Sequence, residues 1–282
     1  MYYGIVLISV ILFGIQFLCS DRYETLCGNG PGAAFFLSFL SSLAGLVCLL
    51  VVNGFCLEWT PFTGACALAA GLNSVLYSVC SLKALSRCNL SVYSLFAMLG
   101  GMLLPFLSGL LFYQETMTVG KGICVVFVGA ALFLGVSGNK KTGGLLFCFG
   151  VFFLNGMSGV ISKLFESAPY PKTSAAGYSI LVATGTALMS GGVLLAVRKQ
   201  VRCMKGKAVA FALCGGLLSQ VANFLLLIAL AVLPASTQYP FVTGGVMIVS
   251  TLLSLLAGQK PTRRELLSVF ISFLGILALV FF

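Results

Sequence analysis

Histidine is absent from the 282 residues, and only six positions are acidic: Asp21, Glu24, Glu58, Glu115, Glu166 and Glu265. An active site needs a nucleophile with a base, a carboxylate pair or a set of metal ligands. No G-x-S-x-G, no H-E-x-x-H and no acidic pair inside an apolar run is present. An intramembrane enzyme is therefore the weaker alternative, no cofactor or metal is expected, and no residue is read as catalytic. The eleven cysteines contain no C-x-x-C, and most stand in apolar runs. They read as small apolar fillers rather than redox or metal groups.

Charge is scarce too. Charged residues make up 8% of the chain against 60% hydrophobic residues, with a mean hydropathy of +1.11. A soluble domain carries roughly a quarter of its residues charged, so the composition is that of an integral membrane protein. The net charge of +10 does not point to nucleic acid, because the basic residues stand in short connections between apolar runs. There they orient the chain and meet anionic headgroups, so membrane lipids are the expected partner. The first apolar run lacks a basic leader and is followed by further spans, so it is expected to stay as a helix.

Ten apolar runs follow one another: Tyr2 to Ser20, Gly32 to Val52, Pro61 to Leu82, Leu90 to Tyr113, Val119 to Val136, Gly143 to Phe165, Ala175 to Val197, Ala208 to Leu230, Ser236 to Ala257 and Leu266 to Phe282. About 20 apolar residues at 1.5 Å each cross roughly 30 Å of hydrocarbon as a helix. Barrel strands would be about half as long and would alternate polar with apolar residues. The expected fold is an all-α integral membrane protein of ten transmembrane helices. Segments such as "DRYETLCGNGP" and "RKQVRCMKGK" read as the connecting turns. Pro105 and Pro240 fall inside spans and permit kinks.

The chain also repeats itself. Moving 144 positions carries Gly100 and Gly101 onto Gly244 and Gly245, Leu111 onto Leu255, Glu115 onto Gln259 and Thr118 onto Thr262. This divides the chain into repeats 1–138 and 139–282. Five helices per repeat is an odd number, so the two halves are expected to be inverted relative to each other, as in many carriers. The paired glycines read as sites of close helix packing, and they also suit a sliding interface. Thirteen of the Lys and Arg residues follow the odd-numbered spans and three follow the even-numbered ones. That bias places the odd connections in the cytoplasm and neither terminus there.

The segment "SLKALSRCNLSVYSLFAMLGGMLLPFLSGLLFYQETMTVGKGICVVFVGAALFLG" resembles the end of an EamA-type repeat of the drug/metabolite transporter superfamily, with Glu115, Thr118, Gly122, Gly129 and Gly135 at its marked positions. The second half resembles the same repeat through Leu233, Pro234, Gly244, Gly245, Thr262 and Gly275, but Gln259 replaces the expected glutamate. The resemblance implies two inverted five-helix halves in the cell membrane, a cavity lined by the first, third, fourth, sixth, eighth and ninth helices, and transport of small organic solutes. It also implies cytoplasmic termini, opposite to the charge count. Small multidrug exporters of that superfamily carry a glutamate in the first helix, where this chain offers only Gln16. Carboxylate-based proton antiport is thus disfavoured.

The expected function is secondary transport by alternating access, the alternatives being an intramembrane enzyme or a non-catalytic scaffold. A neutral polar substrate site is expected from amides and tyrosines at mid-depth: Asn73, Tyr77, Asn155, Gln220 and Asn223, with Gln16, Tyr93 and Tyr239 closing it. The alternative for each amide is a bond to a neighbouring helix. Glu115, Gln259, Pro105, Gly100, Gly101, Gly244 and Gly245 are assigned gating or structural roles. Glu115 is expected to pair with Lys121 or to satisfy loop amides. The sequence leaves the oligomeric state open.

Overall fold

The computed structural model describes residues 2–28, 30–85, 87, 90–135, 144–196, 206–256 and 263–282. Among these the chain is helical, with no strand: α1 (Tyr2–Cys27), α2 (Pro31–Val52), α3 (Pro61–Leu85), α4 (Leu90–Phe112), α5 (Val119–Gly135), α6 (Leu145–Ser167), α7 (Ala175–Ala196), α8 (Gly206–Leu230), α9 (Ala235–Leu256) and α10 (Arg263–Phe281). Seven of them, all but α5, α9 and α10, hold stretches long and apolar enough to cross a membrane. The chain is thus a multi-pass membrane protein in its helical content and apolarity. Pro105 lies inside α4 and Pro240 inside α9.

Two expectations are corrected. The segment after the first apolar run is not a turn, because α1 continues through Cys27. Its last turns are held by Tyr23, which is 1% exposed and donates its hydroxyl to the Ala33 carbonyl of α2 at 2.7 Å. A buried tyrosine ring needs both apolar cover and a partner for its oxygen, and here Ala33, Ala208 and Ala212 supply the cover. Second, the cysteines are not all fillers. Cys27 is disulfide-bonded, while the other eight described cysteines form no disulfide.

Side-chain clusters show which helix ends lie together. Val6 of α1 packs with Ala229 at the end of α8 and with Leu233 before α9. Cys66 near the start of α3, Phe165 near the end of α6, Tyr178 near the start of α7 and Leu227 near the end of α8 form another cluster. Gly120 at the start of α5 lies against Ala278 and Phe282 at the end of α10. These groups mark one face of the bundle, called here the near end. The far end gathers Tyr23, Ala33, Ala208 and Ala212, and separately Ala84, Ala97, Cys148 and Val151.

The helices pack mainly on helices of the other half. α1 lies on α8 and α9, α2 on α7 and α8, α3 on α6 and α7, α4 on α6 and α9, and α5 on α10. Lipid tails are as apolar as leucine, so association in a membrane relies on close approach and van der Waals contact, which small residues permit. A methyl on Gly100 would strike the Phe152 carbonyl, and one on Gly156 would stand 2.5 Å from the Gly100 carbonyl. α4 and α6 therefore cross backbone to backbone. A methyl on Gly101 would meet Asn155 Nδ2 at 2.7 Å, one on Gly244 the Ser272 hydroxyl at 2.8 Å, and one on Gly245 the Val10 side chain at 3.0 Å.

Gly100→Val is expected to lower thermal stability in detergent by about 1–3 kcal/mol or to block folding, since the obstacle is backbone that has nowhere to move. Gly129→Ala, where nothing lies within 4 Å, is the control and should leave the melting temperature unchanged.

Candidate functional site

On α6 and α8, two polar residues, Ser158 and Asn223, are exposed among neighbours on their faces that are buried or half-buried. Ser158 stands seven residues from both Val151 and Phe165, which are 0% and 1% exposed. Seven residues of helix return to within about 20° of the same direction, so the three share one face. Asn223 likewise stands seven residues after Gly216 and eleven after Ala212, both buried, yet is itself exposed. The lipid side of these helices is marked elsewhere, by exposed Leu146, Phe149 and Phe153 on α6 and by Leu213 and Leu217 on α8. Ser158 and Asn223 are therefore exposed on sides of their helices away from those apolar residues.

On the near-end side of them lies the cluster of Cys66, Phe165, Tyr178 and Leu227, in which the Phe165 and Tyr178 rings stack at 4.1 Å. Asn223 lies one helical turn above Leu227, about 6 Å. α6 and α8 both run from the far end to the near end, so Asn223 comes level with Ser158 and Ser162. Tyr239 of α9 donates to the Gly159 carbonyl on the same stretch of α6 at 3.2 Å. Its ring and Pro105 together occupy the room a side chain on Gly159 would need.

The other expected site residues divide by what they bond. Asn73 Nδ2 donates to the Leu154 carbonyl at 2.9 Å, tying α3 to α6, and Asn155 Nδ2 donates to the Ala97 carbonyl at 2.7 Å, tying α6 to α4. Both amides join helices. Tyr77 and Tyr93 share a hydrogen bond of 3.0 Å between their hydroxyls, and Tyr93 also donates to Ser81 Oγ at 3.2 Å. They close the far-end side of α3 and α4. Gln16 donates to Ser20 within its own helix at 2.8 Å. Gln220 lies over Gly45 of α2. Asn223 bonds only Ser219 of its own helix, at 2.8 Å to the carbonyl, among the hydrogen bonds resolved. It is the amide best placed to meet a solute. Gln259 lies outside the described residues.

Glu115 sits in the joint between α4 and α5, and its partner is not Lys121. Its Oε1 is 3.0 Å from Lys163 Nζ of α6, with both side chains about nine-tenths buried. The same carboxylate accepts the backbone N–H groups of Ala235 and Ser236 at 2.8 Å each, at the start of α9. The first amides of a helix have no partner within it and carry partial positive charge, so a carboxylate there is doubly favoured. Lys121 instead donates to the Thr116 carbonyl at 2.7 Å. Lys163 also lies 5.4 Å from the centre of the Tyr113 ring. Burial alone would push the Glu115 carboxyl up, but the hydrogen bonds from Ser236 and Ala235 and from the Lys163 ammonium outweigh it and hold the group below its ordinary value. Lys163 had a sequence signal that the loop count passed over: it is an ionisable residue inside an apolar span.

No family model matches the chain, and no curated protein matches it. The fold, however, has solved counterparts. One crystal structure, described only as that of a protein, superposes with a TM-score of 0.76 over 99% of this chain and 98% of that one at 14% identity. That likeness shows the fold alone.

Two outcomes follow from this geometry. Asn223→Ala should leave the melting temperature nearly unchanged, whereas Asn155→Ala should lower stability by about 1 kcal/mol through its lost interhelical bond; thermal unfolding in detergent compares them directly. Glu115→Ala should cost about 3–5 kcal/mol, because it leaves Lys163 buried without a partner. The folded-state value of Glu115 is depressed, so its contribution is present above the ordinary carboxyl value of 4.5 and is lost as pH falls below it. Melting temperatures of the native chain and Glu115→Ala should therefore converge on acidification.

Proposed function

We propose that the chain is a secondary carrier that moves a small, neutral or zwitterionic organic solute by alternating access between two inverted five-helix halves. The observation that carries this reading is the pattern of packing. Shifting every helix by five positions turns α1 on α8 into α6 on α3, α1 on α9 into α6 on α4, and α2 on α8 into α7 on α3. The pairs α2 with α7, α4 with α9 and α5 with α10 map onto themselves. Individual residues follow the same rule. Gly14 meets Val249 as Gly159 meets Pro105, and Gly216 meets Ser41 as Gly71 meets Gly185, each at an offset of 144 or 145 in the sequence.

Such a self-mapping is what a two-fold axis in the membrane plane would produce, and α1 begins at the near end where α6 finishes. Inverted repeats around a mid-membrane site are the architecture of many carriers. In this reading the exposed polar pair Ser158 and Asn223 lines the site between the halves, which agrees with the resemblance to EamA-type repeats. A neutral lining suits a solute of zero net charge, since an unpaired charge at mid-depth costs at least 2.5–3.5 kcal/mol on insertion scales.

The test is uptake into proteoliposomes. A panel of amino acids, nucleosides, sugars and quaternary amines should yield at least one saturable substrate, and Asn223→Ala should reduce its uptake severalfold without loss of folded protein. Turnover of lipid-linked substrates with no solute movement would favour the enzyme reading.

Two observations pull the orientation in opposite directions. Thirteen basic residues belong to the far-end connections and three to the near end, which favours a cytoplasmic far end. The disulfide at Cys27, a far-end residue, fits an oxidising compartment instead. We follow the charge count, because it sums over five connections. Lys205 lies outside the described residues, but Lys207 is exposed at the start of α8. Lys207→Cys should resist a membrane-impermeant maleimide in intact cells; rapid labelling would reverse the orientation.

A further inference from the structure

The near end carries a second carboxylate that, like Glu115, accepts a backbone N–H at the start of a second-half helix. Glu58, in the connection between α2 and α3, accepts the Ser174 backbone N–H at 2.6 Å. Ser174 is the residue before α7, and its own hydroxyl accepts the Gly177 amide at 3.1 Å as a helix cap. Thr63 of α3 accepts the neighbouring Thr173 amide at 3.1 Å. Thus two glutamates, both borne by connections of the first half, are seated on the starts of two helices of the second half, α7 and α9. The same near end holds the cluster of Cys66, Phe165, Tyr178 and Leu227, against which Ala175, the first residue of α7, also packs.

The far end has no equivalent in sequence. The second-half connections that correspond to those of Glu58 and Glu115 are residues 197–205 and 257–262, and neither contains an acidic residue. At an offset of 144 the two glutamates become Arg202 and Gln259. A carboxylate on free helix amides gains charge-assisted hydrogen bonds that a neutral or basic side chain does not.

Resting on the carrier reading above, we propose that Glu58 and Glu115 form a two-point latch that holds the near end shut. The chain therefore favours the near-end-closed conformation, and releasing either carboxylate moves the population toward opening there. Passage of a solute through the near end requires the first-half connections to leave the starts of α7 and α9. The Lys163 ammonium strengthens the Glu115 half of the latch, while Glu58, whose side chain is exposed, forms the looser half. The bias requires only that the carboxylates bind one conformation better than the other.

Two native cysteines report the two ends. Cys66 is 5% exposed in the near-end cluster, and Cys148 is 0% exposed at the far end. The full chain in nanodiscs would be treated with N-ethylmaleimide, with alkylation of each cysteine followed by peptide mass spectrometry. In Glu115→Gln, Cys66 should react about tenfold faster than in the native chain while Cys148 stays within about twofold. Glu58→Gln should accelerate Cys66 severalfold. Because that exposed carboxylate takes no part in the buried ion pair, this variant keeps the test decisive if Glu115→Gln does not fold. Unchanged Cys66 reactivity in the folded variants would overturn the latch, as would Cys66 and Cys148 rising together, which is general loosening. Solute uptake is scored separately. Selective exposure of Cys66 in a protein that moves no solute would sink the carrier reading and keep the latch, whereas uptake without selective exposure would sink the latch alone.

Discussion

The structure depends on helix backbones approaching closely in a medium that gives apolar side chains no reason to prefer one another. At the crossing of α4 and α6 the constraint is tightest, because Gly100 faces the Phe152 backbone and Gly156 faces the Gly100 carbonyl beside the Leu104 side chain. Small residues recur wherever the halves interlock, at Gly14, Gly159, Gly215, Gly216 and Gly245. The remaining cohesion comes from polar ties between helices, such as Asn73 to Leu154 and Asn155 to Ala97. Because nearly every such contact joins one half to the other, neither half is a self-standing domain in its packing, and any rearrangement of the halves must remake these crossings together.

This is why the spans were legible and the site was not. Length and apolarity mark a membrane helix without help from tertiary context, so nine of the ten helices begin and end within about three residues of their apolar runs. α1 is the exception. Asp21, Arg22 and Glu24 break its apolar run, but the helix continues because Tyr23 is clasped by α2 and α8, a contact written in no local pattern. The mid-depth amides were recognised by type, yet whether an amide meets a solute or a neighbouring carbonyl depends on which helix crosses beside it. Asn155 meets α4, whereas Asn223 is exposed. Glu115 was found from its place at the end of a span, but its partners stand 48 and 120 residues away. Only the folded chain brings those together.

Charge is distributed with a purpose that composition alone conceals. The near end holds Glu58, Glu115 and Glu166 against Lys121, Lys163 and Lys172, so it is balanced, and the net charge of +10 belongs to the far-end positions. Opposite charges at the near end are spent on one another and on helix starts: Glu166 pairs with Lys172 at 3.5 Å, Glu115 with Lys163 at 3.0 Å. The far end, by contrast, carries an excess of positive charge; Lys83 and Arg87 there lie over the Phe147 ring, and such an excess favours anionic headgroups.

That asymmetry constrains how such a protein can work. A carrier that binds a charged solute must carry a counter-charge at mid-depth and meet its desolvation cost in every conformation. Here Lys163 is already matched by Glu115, and the exposed polar pair on α6 and α8, Ser158 and Asn223, is neutral. A neutral lining lets the same surface face either side of the membrane at similar cost. The preference between the two conformations must then come from groups outside the site. In the described chain, Glu115 on the start of α9 and Glu58 on the start of α7 are carboxylates of that kind, placed outside the exposed polar pair and bonded to helix amides.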